Sequence, residues 1–155
     1  MYLLKTMLEP FELIQGEYMI STDRNKLDLK MIHWFLSTQA YWSPGIPFEK
    51  VQRASERSLC FGIYYENIQI GYSRIISDYT SIAYLGDVFI LKEFRGKGLS
   101  KWLMTTIRSH PDLQGLRRWI LLTKDAHELY KRTGWSEIAQ PDLWMEIHQK
   151  DIYER

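Results

Sequence analysis

One cysteine in 155 residues, Cys60, leaves no partner for an internal disulfide and cannot by itself hold a metal ion. It opens an apolar run and reads as a small buried hydrophobe. Excess charge of one sign is also missing. Twenty Lys and Arg face 19 Asp and Glu, a formal net charge of +1, so no global field selects nucleic acid or an anionic membrane. No RNA-binding, zinc-finger or helix-turn-helix pattern is present either. Long apolar runs are absent. Residues 1–10 are too short and too interrupted by polar groups for a signal peptide or a membrane span, which points to a cytoplasmic protein. Without repeats, low-complexity tracts or a dividing linker, residues 1–155 are expected to form a single domain, with 1–17 as a leader lacking a clean period.

What the chain does have is apolar residues, 45 % of the total, enough for one real core. Strand patterns fall at 18–22, 60–65, 68–76, 82–91 and 118–123, with 11–14 either a short strand or part of the leader. Helical patterns cover 28–36, 48–57 and 100–108, and another helix is expected to start at Asp125 and close at Gly134. Glu66-Asn67 and Asp78-Tyr79-Thr80 read as turns. Residues 135–138 and 143–147 alternate as a last antiparallel pair would. This order predicts an α/β fold with a mixed central sheet flanked by helices. Between the first two helices, residues 37–47 form an aromatic loop stopped by Pro44-Gly45 and Pro47.

The most informative stretch is Asp87-Val88-Phe89-Ile90-Leu91-Lys92-Glu93-Phe94-Arg95-Gly96-Lys97-Gly98-Leu99-Ser100. A buried strand runs into a basic, glycine-containing turn, and that turn opens an amphipathic helix. Backbone N–H groups gathered at a helix start, reinforced by the helix dipole, suit a phosphate or pyrophosphate. The pattern is not a Walker A, and it lacks the three-glycine dinucleotide fingerprint. Taken alone, it is equally compatible with a plain basic turn.

Arg95, Gly98 and Ser100 resemble the Arg/Gln-x-x-Gly-x-Gly/Ala motif by which the GNAT family of N-acetyltransferases holds acetyl-CoA, with a serine where Gly or Ala is usual and Gly96 additional. A second match runs from Asp125 to Trp135, where Ala126, Tyr130 and the pair Gly134-Trp135 are similar to the family's C-terminal helix. The resemblance covers roughly residues 18–148. It implies a GNAT-like fold that uses acetyl-CoA as acetyl donor and needs no metal. Two neighbouring parallel strands would splay apart, letting the backbone of Val88, Phe89 and Ile90 face the pantetheine while Arg95, Gly96, Lys97, Gly98, Leu99 and Ser100 surround the pyrophosphate. Tyr130 takes the position of the general acid.

For the acceptor, Asp87 is the candidate contact or base; it could equally be a strand-edge carboxylate or an ion-pair partner of Arg74. Tyr41, Trp42, Tyr72, Arg74 and Tyr84 are the candidate pocket, with Arg74 available to a substrate carboxylate and Trp34 expected in the core. The expected reaction is acetylation of a primary amine on a small molecule by direct attack in a ternary complex, by a monomer or homodimer. A protein or aminoacyl-tRNA acceptor, or a noncatalytic acyl-CoA-binding role, are the alternatives.

Overall fold

The computed structural model describes residues 9–154; the first eight residues of the expected leader lie outside them. Six strands form one sheet in the order β1-β2-β3-β4-β5-β6: β1 (Glu12–Gln15), β2 (Tyr18–Ser21), β3 (Leu59–Tyr65), β4 (Ile68–Ser77), β5 (Ile82–Ile90) and β6 (Arg118–Leu121). The first five pair antiparallel; β5 and β6 pair parallel. Part of the segment read as leader is therefore an edge strand. The turn signals hold for physical reasons. Glu66 and Asn67 both sit at positive φ, 47° and 68°, as a two-residue hairpin twisted with its strands requires. At the next turn, Asp78 Oδ1 accepts from the N–H groups of Thr80, Ser81 and Ile82.

Period-two alternation gives each sheet face its own helices. On one face α1 (Leu29–Thr38) and α2 (Phe48–Glu56) cover Cys60, Tyr72 and Phe89, with Ile32, Phe35, Leu36 and Val51 completing the layer. Phe35 and Phe89 stack with centroids 3.8 Å apart. On the other face α3 (Leu99–Ser109) brings Leu103, Met104 and Ile107 onto Ile20, Phe61, Ile63, Ile75 and Leu85. The link from β5 through α3 to β6 is the crossover that parallel strands demand. Truncating a fully buried side chain such as Leu103 to Ala removes about 2–5 kcal/mol from a core of this kind.

Three expectations fail. Trp34 is 49 % exposed, because the buried stripe of α1 runs through Ile32, Phe35 and Leu36 and leaves position 34 at its rim. The short helix α4 (His127–Lys131) starts two residues later than expected: Ala126 occupies its N-cap, and Thr123 Oγ1, not Asp125, accepts from the Ala126 N–H. Residues 135–138 and 143–147 form no strand pair. Ile138, Leu143, Met145 and Ile147 stay exposed, the last two almost completely, and a 3-10 turn at Pro141–Leu143 breaks the run. Alternation creates a strand only where an edge is available to pair with it, and among the described residues these segments meet none.

Candidate active site

The site lies where β5 and β6 part. Their ladder joins Ile82 through Leu85 to Arg118 through Leu121 and stops there, so among the described residues no strand pairs with residues 86–90 of β5 on that side. Leu91 N–H donates to the Ile70 carbonyl on β4. By alternation Phe89 also turns toward β4, whereas Val88 and Ile90 present their backbone groups to the open side. One of these is already used: Arg95 Nε donates to the Ile90 carbonyl at 2.9 Å, fastening the turn to the strand end. The Phe89 side chain is buried against α1 and its backbone groups turn to β4, so neither faces the open edge, unlike the expectation for position 89.

At the end of β5 the chain makes a 3-10 turn at Lys92–Phe94 and enters α3 through Gly96 and Gly98, both left-handed at φ 76° and 77°. Gly98 is the N-cap and has no side chain to satisfy the helix start. The first backbone bond back into the turn is from Trp102 N–H to the Gly98 carbonyl. Among the described residues the N–H groups from Gly96 to Lys101 donate to no protein acceptor. Free donors at a helix N-terminus, with Lys97 and Lys101 beside them, form the cradle that a pyrophosphate needs. An open strand edge leading away from it fits an extended amide-bearing chain, so these residues fit acetyl-CoA.

On the α1–α2 face of the cleft, β5 bulges after Gly86: Arg74 pairs with Gly86 but Tyr72 with Phe89, leaving one residue extra. Asp87 occupies the bulge at φ 55°, a left-handed conformation uncommon for a non-glycine residue. Its carboxylate accepts twice, from Arg74 Nε at 2.5 Å and from Trp42 Nε1 at 2.9 Å. Arg74 also donates to Ser58 Oγ at 3.2 Å. Burial works against the Arg74 charge, but the Asp87 carboxylate outweighs it and raises the guanidinium pKa overall. Asp87 and Arg74 are thus an ion pair, the alternative left open by the sequence, and Arg74 is committed to a partner inside the protein.

Tyr41 packs edge-to-face on Trp42 at 5.1 Å, and its hydroxyl accepts from the Lys124 N–H at 2.7 Å, tying the aromatic loop to the chain beyond β6. Burial first, then the charge of the nearby Asp87 carboxylate, raises the pKa of half-buried Tyr84. Tyr72 departs from expectation. It is 1 % exposed, with its hydroxyl 3.2 Å from Cys60 Sγ, because alternation on β4 aims it under α1 rather than into the cleft. The Trp42–Asp87 bond joins a loop residue to a bulge 45 positions away; the indole and the isolated carboxylate were legible in the sequence, their union was not.

Tyr130 projects from α4 into the core, 8 % exposed, with its ring 6.0 Å from Trp135. Beyond the C-cap Arg132, Gly134 at φ 96° lets Trp135 N–H return to the Tyr130 carbonyl, which holds the pair together. Burial first, then the neighbouring Tyr41 and Asp125, push the phenol up to about 12, so it is a protonated donor at neutral pH. Among the described residues no three His, Cys, Asp or Glu side chains group as a metal site, and no helix is long and apolar enough to cross a membrane.

The sequence and the fold both match known proteins. Residues 29–135 match the model of the acetyltransferase (GNAT) family. A Gibberella zeae protein named as an acetyltransferase, FG08082, is 31 % identical over 86 % of this chain and 88 % of its own. A crystal structure from Xanthomonas campestris pv. campestris, assigned to the GNAT family, is 46 % identical, superposes with a TM-score of 0.88, and covers 92 % of this chain and all of that one. The fold also matches a Clostridium acetobutylicum structure containing acetyl-CoA, with a TM-score of 0.58 at 15 % identity over 84 % of this chain and 94 % of that one. The chain belongs to the GNAT family and is an acetyl-CoA-dependent N-acetyltransferase.

Proposed function

We propose that the protein acetylates the primary amine of a small molecule, by direct attack within a ternary complex. The observation that carries this reading is the junction of Trp42, Asp87 and Arg74 beside the open edge of β5. When bound, acetyl-CoA supplies a thioester whose carbonyl carbon accepts the amine lone pair and whose sulfur departs with the C–S electrons. The free N–H groups of residues 96–101 hold the pyrophosphate, and the open backbone of Val88 and Ile90 orients the chain that leads to the thioester. Tyr130 donates its phenolic proton toward the sulfur as negative charge builds there.

Because Arg74 is held by Asp87 and Ser58, it does not serve a substrate carboxylate; it fixes the carboxylate of Asp87 instead. Asp87, Trp42, Tyr41 and Tyr84 then offer the acceptor an anionic oxygen flanked by aromatic surface, which favours a cationic amine with an apolar part. The ammonium must lose a proton before attack, either to water or through the Asp87 carboxylate.

The test is a panel of small primary amines with acetyl-CoA, followed by thiol release and by mass spectrometry of the product. Acetylation of a cationic, partly apolar amine with intersecting initial-rate lines is expected. Parallel lines would show a covalent acetyl-enzyme and refute direct attack. Turnover confined to peptide N-termini or aminoacyl-tRNA would refute a small acceptor.

A further inference from the structure

The aromatic loop between α1 and α2 reaches both sides of the gap where β5 and β6 part, through two consecutive residues. Trp42 Nε1 donates to Asp87 on β5, while the Tyr41 hydroxyl accepts at 2.7 Å from the N–H of Lys124, beyond the end of β6. The Lys124 ammonium also lies over the Tyr41 ring, 5.7 Å from its centroid. Tyr41 is 48 % exposed and stands outside both buried clusters, so core packing does not account for it.

What the Tyr41 bond holds is the approach to Tyr130. Leu122, Lys124 and Asp125 are exposed, so burial does little to fix this stretch. Among the described residues, the Tyr41 hydroxyl supplies the one hydrogen bond that residues 123–125 receive from elsewhere in the chain. Local bonds then carry the placement forward. Thr123 Oγ1 accepts from the Ala126 N–H, and the Ala126 carbonyl accepts from the Tyr130 N–H. The helix α4 has five residues, too few to hold a direction without support at its ends. Trp135 N–H fastens the far end to the Tyr130 carbonyl; the near end hangs on Lys124.

We propose that Tyr41 is a positioning residue for Tyr130. Its hydroxyl pins the stretch from which α4 starts, and so ties the aim of the Tyr130 phenol to the loop beside the acceptor cleft. The proposal rests on Tyr130 as the acid of the reaction proposed above. It concerns the Tyr41 hydroxyl alone; the ring keeps its place in the cleft wall. A displacement of about 1 Å in a catalytic group costs up to about a hundredfold in rate, so one anchoring bond is enough to matter.

Tyr41→Phe retains the ring against Trp42 and deletes only the acceptor of the Lys124 N–H. Amide hydrogen exchange of the full chain without ligand reads the anchor directly. Exchange at Lys124 and at Tyr130 is expected to quicken about tenfold in the variant, while Leu103 in α3 keeps its wild-type rate. Unchanged exchange at Tyr130 overturns the proposal, because the bond then has no reach into α4. Equal quickening at Leu103 overturns it too, by making Tyr41 a residue of global stability. Single-turnover transfer to the amine that the wild type acetylates fastest reads the consequence. It should slow about tenfold in Tyr41→Phe, with the half-saturating amine concentration unchanged. In a Tyr130→Phe background the same substitution should cost nothing more, since no proton remains to aim. A loss of equal size in both backgrounds, or weaker amine binding in place of a slower rate, overturns the proposal. Tyr130→Phe as fast as the wild type refutes the acid itself, whatever the exchange shows. If the wild type acetylates no small amine, the small acceptor is refuted, and exchange by itself decides the anchor.

Discussion

Tyr130, the proposed acid, is also a packing residue of the core. A phenol pushed up to about 12 by burial keeps its proton under assay conditions and can give it to a sulfur that leaves as thiolate. Tyr130→Phe retains the ring against Trp135 and removes only the proton. Single-turnover acetyl transfer should slow about tenfold to a hundredfold, or roughly 1.4–2.8 kcal/mol of transition-state stabilisation, with acetyl-CoA affinity unchanged. An undiminished single-turnover rate in the folded variant would reduce Tyr130 to a packing residue. Steady-state turnover is the poorer assay, because slow product release would conceal the chemical step. Buried Cys60, whose thiol pKa burial raises, should remain silent toward the reagent that detects released coenzyme A.

At the scale of elements, the turn from β5 into α3 is the proposed donor cradle, and its shape depends on Gly98. A Cβ at Gly98 would meet nothing within 4 Å, so any penalty for a side chain there comes from the backbone at φ 77°. Gly98→Ala should cost about 1–2 kcal/mol as a left-handed residue, or rotate the first turn of α3 to escape that cost. Either way the N–H groups lose their common aim. Acetyl-CoA affinity in calorimetry is expected to fall, and Gly98→Asn should do less harm because asparagine enters this region more readily. Wild-type affinity and wild-type urea stability in both variants would remove Gly98 from the cradle's design. The glycines of this turn were readable in the sequence. The dead end of the β5–β6 ladder at Leu85 and Leu121, which exposes Val88 and Ile90, depends on where β6 leaves the sheet.

For the molecule as a whole, His110 couples stability to pH. It is 3 % exposed, its ring lies against Phe11 and Phe61, and its Nδ1 accepts from the Asp112 N–H. Burial lowers its pKa from 6.5, more than the Asp112 charge raises it, so the folded protein holds a neutral imidazole. The unfolded chain takes up a proton near 6.5 while the folded chain still resists. Below that value the unfolded state binds more protons, and stability falls as pH falls; above it this contribution is flat. Urea unfolding should therefore show declining stability from about pH 7 to about pH 5. His110→Gln should flatten that slope in proportion to this one group, and an unchanged slope would exclude it.

Local chemistry determined much of this protein. The turns at Glu66-Asn67 and Asp78, the glycine-opened helix after β5, and the left-handed turn at Gly134 just beyond α4 follow from residues adjacent in the chain, which is why they could be read from it. Binary alternation also fixed the strands that found partners. It could not say that residues 143–147 would find none, that Trp34 would lie at the rim, or that Tyr72 would turn under α1, since each depends on which surface another element leaves free. The same holds for Asp87. Its charge beside an apolar strand was plain, but whether it met Arg74, Trp42, solvent or substrate rested on a bulge in β5 and on a loop 45 residues away. Short-range preferences select elements through the backbone's own geometry. Only packing brings distant charges to one place, and here it paired Arg74 with Asp87.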